Sequence, residues 1–154
     1  MTRPGAPSFA PWHFAAILLA LALGLGLGHA AATGSEQFKI VVHPDNPATA
    51  LDPQFVRDAY LRKASAWNTG AAIRPIDLST AFAVRNRFVQ DVLRKSPSQL
   101  KNYWNQQIFS GKGVPPPEVG STASVVSYVL ANPGAIGYLP LDADAGGAKV
   151  IKVQ

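Results

Sequence analysis

The spacing of hydrophobic positions changes along the chain, and the changes divide it into elements. An unbroken apolar run from Phe14 to Gly28 comes first, behind a polar stretch that carries Arg3 and no acid. Farther on, Phe38-Lys39-Ile40-Val41-Val42-His43 is β-branched and apolar, the pattern of a buried strand. Two prolines in His43-Pro44-Asp45-Asn46-Pro47 end it, because proline has no N–H for a ladder. Asp52 as cap and Pro53 at the first position then predict a helix. Its apolar face is Phe55, Val56, Ala59 and Tyr60; Arg57, Asp58, Arg62 and Lys63 take the wet side.

Trp67-Asn68-Thr69-Gly70 reads as a turn, and Ile73 to Leu78 as a second strand. A helix is expected from about Thr80 to Lys95, with Val84, Phe88, Val92 and Leu93 buried and Arg85, Arg87, Arg94 and Lys95 outside. Ser96-Pro97 stops it and caps the next helix, where Leu100, Trp104 and Ile108 stand four apart and share a face. Ser110 to Pro117 is a loop by composition. A capped helix from Ser121 or Thr122 to Ala131 turns Val125, Val126, Val129 and Leu130 inward, and Asn132-Pro133-Gly134 ends it. Ala135–Leu139 and Ala148–Val153 are two more strands, separated by the turn-prone Asp142 to Gly147. Strands alternating with helices imply an α/β fold, a single small layered domain with a mostly parallel sheet.

The first apolar run has the form of a secretory signal. Charge precedes it, and His29-Ala30-Ala31-Ala32 offers the small side chains a signal peptidase accepts. A membrane span needs about 20 apolar residues; this run is shorter and no basic cluster follows it. The expectation is a cleaved signal over residues 1–32, cut after Ala30 or Ala32, one domain over 33–154, and no membrane span after cleavage. With no cysteine in the chain there is no lipidation site, disulfide or thiolate metal site. Removing Arg3 with the signal leaves thirteen cationic side chains against nine acids, a formal charge of +4. That excess favours anionic ligands or solubility alone.

Catalytic constellations are missing. After the signal His43 is the one histidine, no Gly-x-Ser-x-Gly elbow exposes a serine, and His43 is read as a strand-end residue bonded locally. Acids at metal-ligand spacing are absent, and Asp142 and Asp144 lack the rest of a calcium loop. The aromatics fall on predicted buried faces, which argues against nucleic acid. The expectation is a non-enzyme without cofactor. An oxyanion site is the better candidate at Asp77-Leu78-Ser79-Thr80, where a strand ends and a helix begins. First-turn N–H groups and hydroxyls attract anions. Arg74 adds a permanently charged fork, and Asp77 can accept a proton from a protonated oxyanion. The competing reading makes Ser79 an ordinary helix cap and Arg74 a solvated strand residue.

The ordered set of segments resembles the phosphate-type periplasmic substrate-binding proteins. The resemblance rests on Ile40-Val41-Val42-His43-Pro44-Asp45-Asn46, on Leu51-Asp52-Pro53-Gln54-Phe55-Val56-Arg57-Asp58-Ala59-Tyr60-Leu61-Arg62-Lys63 with Trp67, on Ile108-Phe109-Ser110-Gly111-Lys112-Gly113, and on Pro133-Gly134-Ala135-Ile136-Gly137-Tyr138. It is nearest to short, single-lobe members, and implies one lobe of a type II periplasmic binding protein. In full-length relatives a Ser-Gly-Thr at a helix start helps bind phosphate, with an arginine four residues before the serine. Here Ser79-Thr80-Ala81 and Pro75 stand at those places. The resemblance implies a periplasmic protein that binds phosphate or another small oxyanion and serves an ABC transporter or a sensor complex. The alternative is a protein-interaction module that kept the fold and lost the ligand.

Overall fold

The computed structural model describes residue 2 and residues 37–154, so the expected export segment, apart from residue 2, lies outside the described residues. From residue 37 onward the described chain belongs to one compact unit. Its elements in order are β1 (Phe38–Val42), β2 (Ala50–Leu51), α1 (Pro53–Tyr60), β3 (Arg74–Pro75), β4 (Asp77–Leu78), α2 (Ala83–Asp91), α3 (Pro97–Phe109), β5 (Glu118–Val119), α4 (Thr122–Ala131), β6 (Ala135–Pro140) and β7 (Lys149–Val153).

Three helix starts follow from local chemistry. The Asp52 carboxylate accepts from the N–H groups of Gln54 and Phe55 and starts α1. Ser96 and Gln99 form a reciprocal capping box at α3. The Ser121 hydroxyl accepts from Ser124 N–H at α4. The exception is α2. It begins at Ala83 behind Phe82, which offers no side-chain cap, rather than at Thr80.

The main sheet has the order β2-β7-β1-β6-β3, and β4 pairs with β5 apart from it. The α/β layering is as expected, but the sheet is mixed rather than mostly parallel. Strand β1 lies antiparallel between β6 and β7, while β2–β7 and β3–β6 are parallel. Alternation of strands and helices says nothing about insertion, and here the first strand enters between the last two. The expected strand Ile73–Leu78 changes partners within itself. Ile76 N–H still donates to Ile136 of the main sheet, and the next N–H, of Asp77, donates to Pro117 beside β5.

Successive residues of β6 face opposite layers. Tyr138 stacks on Phe88 at 4.0 Å and 6°, and Tyr60 packs on Phe88 at 4.7 Å, which sets α1 and α2 on one face. Gly137 faces the other way, under Val125 and Val129 of α4. The predicted stripe of Val84, Phe88, Val92 and Leu93 is buried, as are Leu100 and Trp104. Ile108 and Leu130 are exposed, because each lies past the last contact of its helix with the core. No helix among the described residues is long and apolar enough to cross a membrane.

Candidate functional site

Because β4 and β5 run parallel, their chains leave the pair at the same end. Leu78 lies opposite Val119, and Ser79 N–H donates to Val119 O at 2.9 Å. The turn Ser79-Thr80-Ala81 and the segment Gly120-Ser121 therefore emerge side by side, about 5 Å apart at the strands. The first leads into α2 through a turn in which Phe82 N–H donates to Ser79 O. The second leads directly into α4. Among the described residues the hydroxyls of Ser79, Thr80 and Thr122 and the N–H groups of Thr80, Ala81, Gly120 and Ser121 have no protein partner. Those are donors at the carboxyl ends of parallel strands, one of them beside the positive end of a ten-residue helix.

Beneath this edge lies a polar cluster that the spacing of the sequence conceals. Asp77 is buried, and its carboxylate accepts from the Tyr138 hydroxyl and from Arg85 Nη2 at 3.0 Å and Nε at 3.2 Å. Arg85 Nη2 also donates to Glu118 Oε1 at 2.5 Å. The Tyr138 hydroxyl in turn accepts Leu78 N–H, so the side chain ties β6 to β4. Burial, and then the negative charge of Asp77, push the Tyr138 hydroxyl far above the ordinary tyrosine range. Burial likewise raises Tyr60, whose hydroxyl donates to Ile76 O. For Arg85 burial acts downward, but Asp77 and Glu118 outweigh it and the net shift is upward.

The four residues expected to form an oxyanion site do not all converge. Ser79 and Thr80 sit on the turn, ahead of the helix start. Asp77 points inward, engaged by Arg85 and Tyr138, not outward to a ligand. Arg74 is separated from Ser79 by four residues of extended chain, about 15 Å, and its Nη1 donates to Asn132 Oδ1 at the far end of α4. The arginine beside the turn is Arg85, expected on the solvent side and in fact held with its side chain 13% exposed. The carboxylates Asp77 and Glu118 outnumber it, so the cluster carries one formal negative charge.

The sequence reading missed Gly120, Ser121 and Thr122 as partners of Ser79, since a two-residue strand such as β5 has no visible period. The signal that does exist is the Ser121 cap itself. His43 directly follows β1, and its Nδ1 accepts Asp45 N–H at 3.1 Å, the expected local bond. Asp144 closes a turn with Gly146 N–H. No group of three or more His, Cys, Asp or Glu among the described residues is placed to hold a metal ion. A separate cleft of about 510 Å³ runs between β2, α1 and Trp67. Its one ionisable side chain, Asp52, is committed to capping α1.

No protein-family model matches the chain, and no curated protein does either. Solved structures do. One, described as a phosphate ABC transporter substrate-binding protein from Clostridium perfringens with bound phosphate, matches 75% of this chain at 21% identity with a TM-score of 0.59. An ABC-type phosphate transport receptor from Vibrio cholerae matches 75% at 16% identity and 0.54, and PstS from Borrelia burgdorferi 76% at 13% and 0.56. The chain has the fold of one lobe of a periplasmic binding protein. It covers 44%, 45% and 47% of those three structures, less than half of each.

Proposed function

We propose that this chain is an extracytoplasmic substrate-binding protein that holds phosphate or another small oxyanion at the paired edge of β4 and β5, in ABC-type uptake or sensing. The observation that carries the reading is the convergence of two donor-rich segments, Ser79-Thr80-Ala81 and Gly120-Ser121-Thr122, on one end of a parallel pair. Backbone N–H groups and hydroxyls supply the hydrogen bonds, and α4 adds the positive end of its dipole. The similarity to phosphate receptors supports the same class of ligand. Export follows in this reading from residues 1–32 as a cleaved signal, with periplasmic residence afterwards. Mass spectrometry of the exported protein tests that part: cleavage after Ala30 or Ala32 gives two distinct masses, and an intact chain removes the cleaved signal.

Titration calorimetry of the exported protein with phosphate, sulfate and acetate is the test of the ligand. Saturable heat with phosphate, weakened by Ser79→Ala with Thr80→Ala and by Thr122→Ala, is the expected result. No heat with any anion at millimolar concentration removes the ligand. The excess negative charge of Asp77, Arg85 and Glu118 favours a second reading in that event, a protein-interaction module that kept the fold.

A further inference from the structure

The end of α3 carries a surface that the oxyanion site does not use. Phe109, its last residue, is 92% exposed, Ile108 is 51% exposed, and Val114 in the following loop is 61% exposed. Asn105, Gln106, Gln107, Ser110 and Lys112 line a shallow depression beside Phe109, all uncharged polar groups except one cation, and the ring stays open to solvent at its edge. The loop folds back toward the end of α1. A Cβ placed on Gly113 would lie 4.0 Å from Arg62 Cβ, and the Tyr103 hydroxyl donates to Leu61 O.

Charge at this tip is positive. Lys112 stands in the loop after Phe109, and Arg62 and Lys63 stand exposed at the end of α1 against that loop. None of the three is ion-paired among the described residues. Residues 92–117 contain no Asp or Glu, and Asp58 of α1 is engaged by Gln54. Arg94 and Lys95 precede the opposite end of α3.

We infer that the tip of α3 is a docking surface for an anionic lipid bilayer, with Phe109 and Ile108 entering the headgroup region and Lys112, Arg62 and Lys63 resting on lipid phosphates. An exposed aromatic ring flanked by amides and unpaired cations matches a fluid anionic interface, which yields around a side chain. A protein partner would need a preformed pocket of the same shape for Phe109.

The absence of cysteine makes the test clean. In the full chain, Ser110→Cys and, as control, Ser98→Cys are each labelled with an environment-sensitive fluorophore. Ser98 lies twelve helical residues away, about 18 Å. Vesicles of phosphatidylcholine with about one-third phosphatidylglycerol should brighten and blue-shift the label at 110 and leave that at 98 unchanged. High salt should reverse the change, and Phe109→Ser should weaken vesicle binding about tenfold with an unaltered circular dichroism spectrum. Comparing the two positions separates tip insertion from tethering by the apolar run at residues 14–28. An equal response at 98 and 110, no response at 110, an equal response to pure phosphatidylcholine, or a response to polyglutamate in place of vesicles would each overturn the inference.

Discussion

Gly137 is the position where one added methyl group tests the architecture that forms the site. It lies mid-way along β6 under α4, and a Cβ there would stand 2.8 Å from Val125 Cγ1, 3.1 Å from Ile76 Cγ2 and 3.3 Å from Val129 Cγ2. Carbon atoms in contact prefer about 3.5–4.0 Å, so three neighbours must retreat together. All three are at most 1% exposed, so none can turn out into solvent. Overpacking of this kind costs about 1–3 kcal/mol. Gly137→Ala should therefore destabilise by about 2 kcal/mol, lowering Tm by roughly 8 °C for a domain of this size. Urea unfolding followed by tryptophan fluorescence measures it, and Val125→Ala in the same chain should recover about half of the loss. A stability change below about 0.5 kcal/mol would refute the reasoning, because α4 would then not be seated on Gly137. The same shift would move Ser121 away from Ser79, so anion binding should weaken with stability.

Further outcomes follow from the buried network and the caps. Arg85→Met leaves Asp77 and Glu118 facing each other without their cation and should cost about 3 kcal/mol in chemical denaturation, whereas Glu118→Gln, at a half-exposed carboxylate, should cost under about 1 kcal/mol. Tyr138 and Tyr60 are raised by burial, so the folded state keeps their protons while the unfolded chain loses them. Their contribution is complete below about pH 10 and is lost as pH rises above that, at about 1.4 kcal/mol per pH unit for each group. Denaturation at a series of alkaline pH values should show that decline, and Tyr138→Phe should make it shallower. Asp52→Ala removes the cap of α1 and should lower stability by about 1 kcal/mol in thermal melts.

Much of the fold was legible because its signals are local. A cap acts on N–H groups two or three residues away, so Asp52, Ser96 and Ser121 could be read where they stand. The strands β1, β6 and β7 were visible as apolar runs. Helix α2 was misplaced at its start, since Ser79 and Thr80 look like caps while the chain spends them on a turn and begins the helix at Ala83. Arg85 was misplaced because helical spacing assigns a side chain to a face and ignores what packs on that face. The two carboxylates that claim it, Asp77 and Glu118, come from strands β4 and β5, outside its own helix.

The amino-acid sequence by itself determined the caps, the proline and glycine breaks, the buried stripes and the α/β class. These depend on neighbours within about two helical turns. Only the tertiary structure decided that β1 enters between β6 and β7, that the strand after Ile73 changes sheets at Ile76, and that Ser79 emerges beside Gly120-Ser121 while Arg74 does not. Each of these depends on pairing between distant segments, where burial of a shared core selects one arrangement among many that local preferences allow equally.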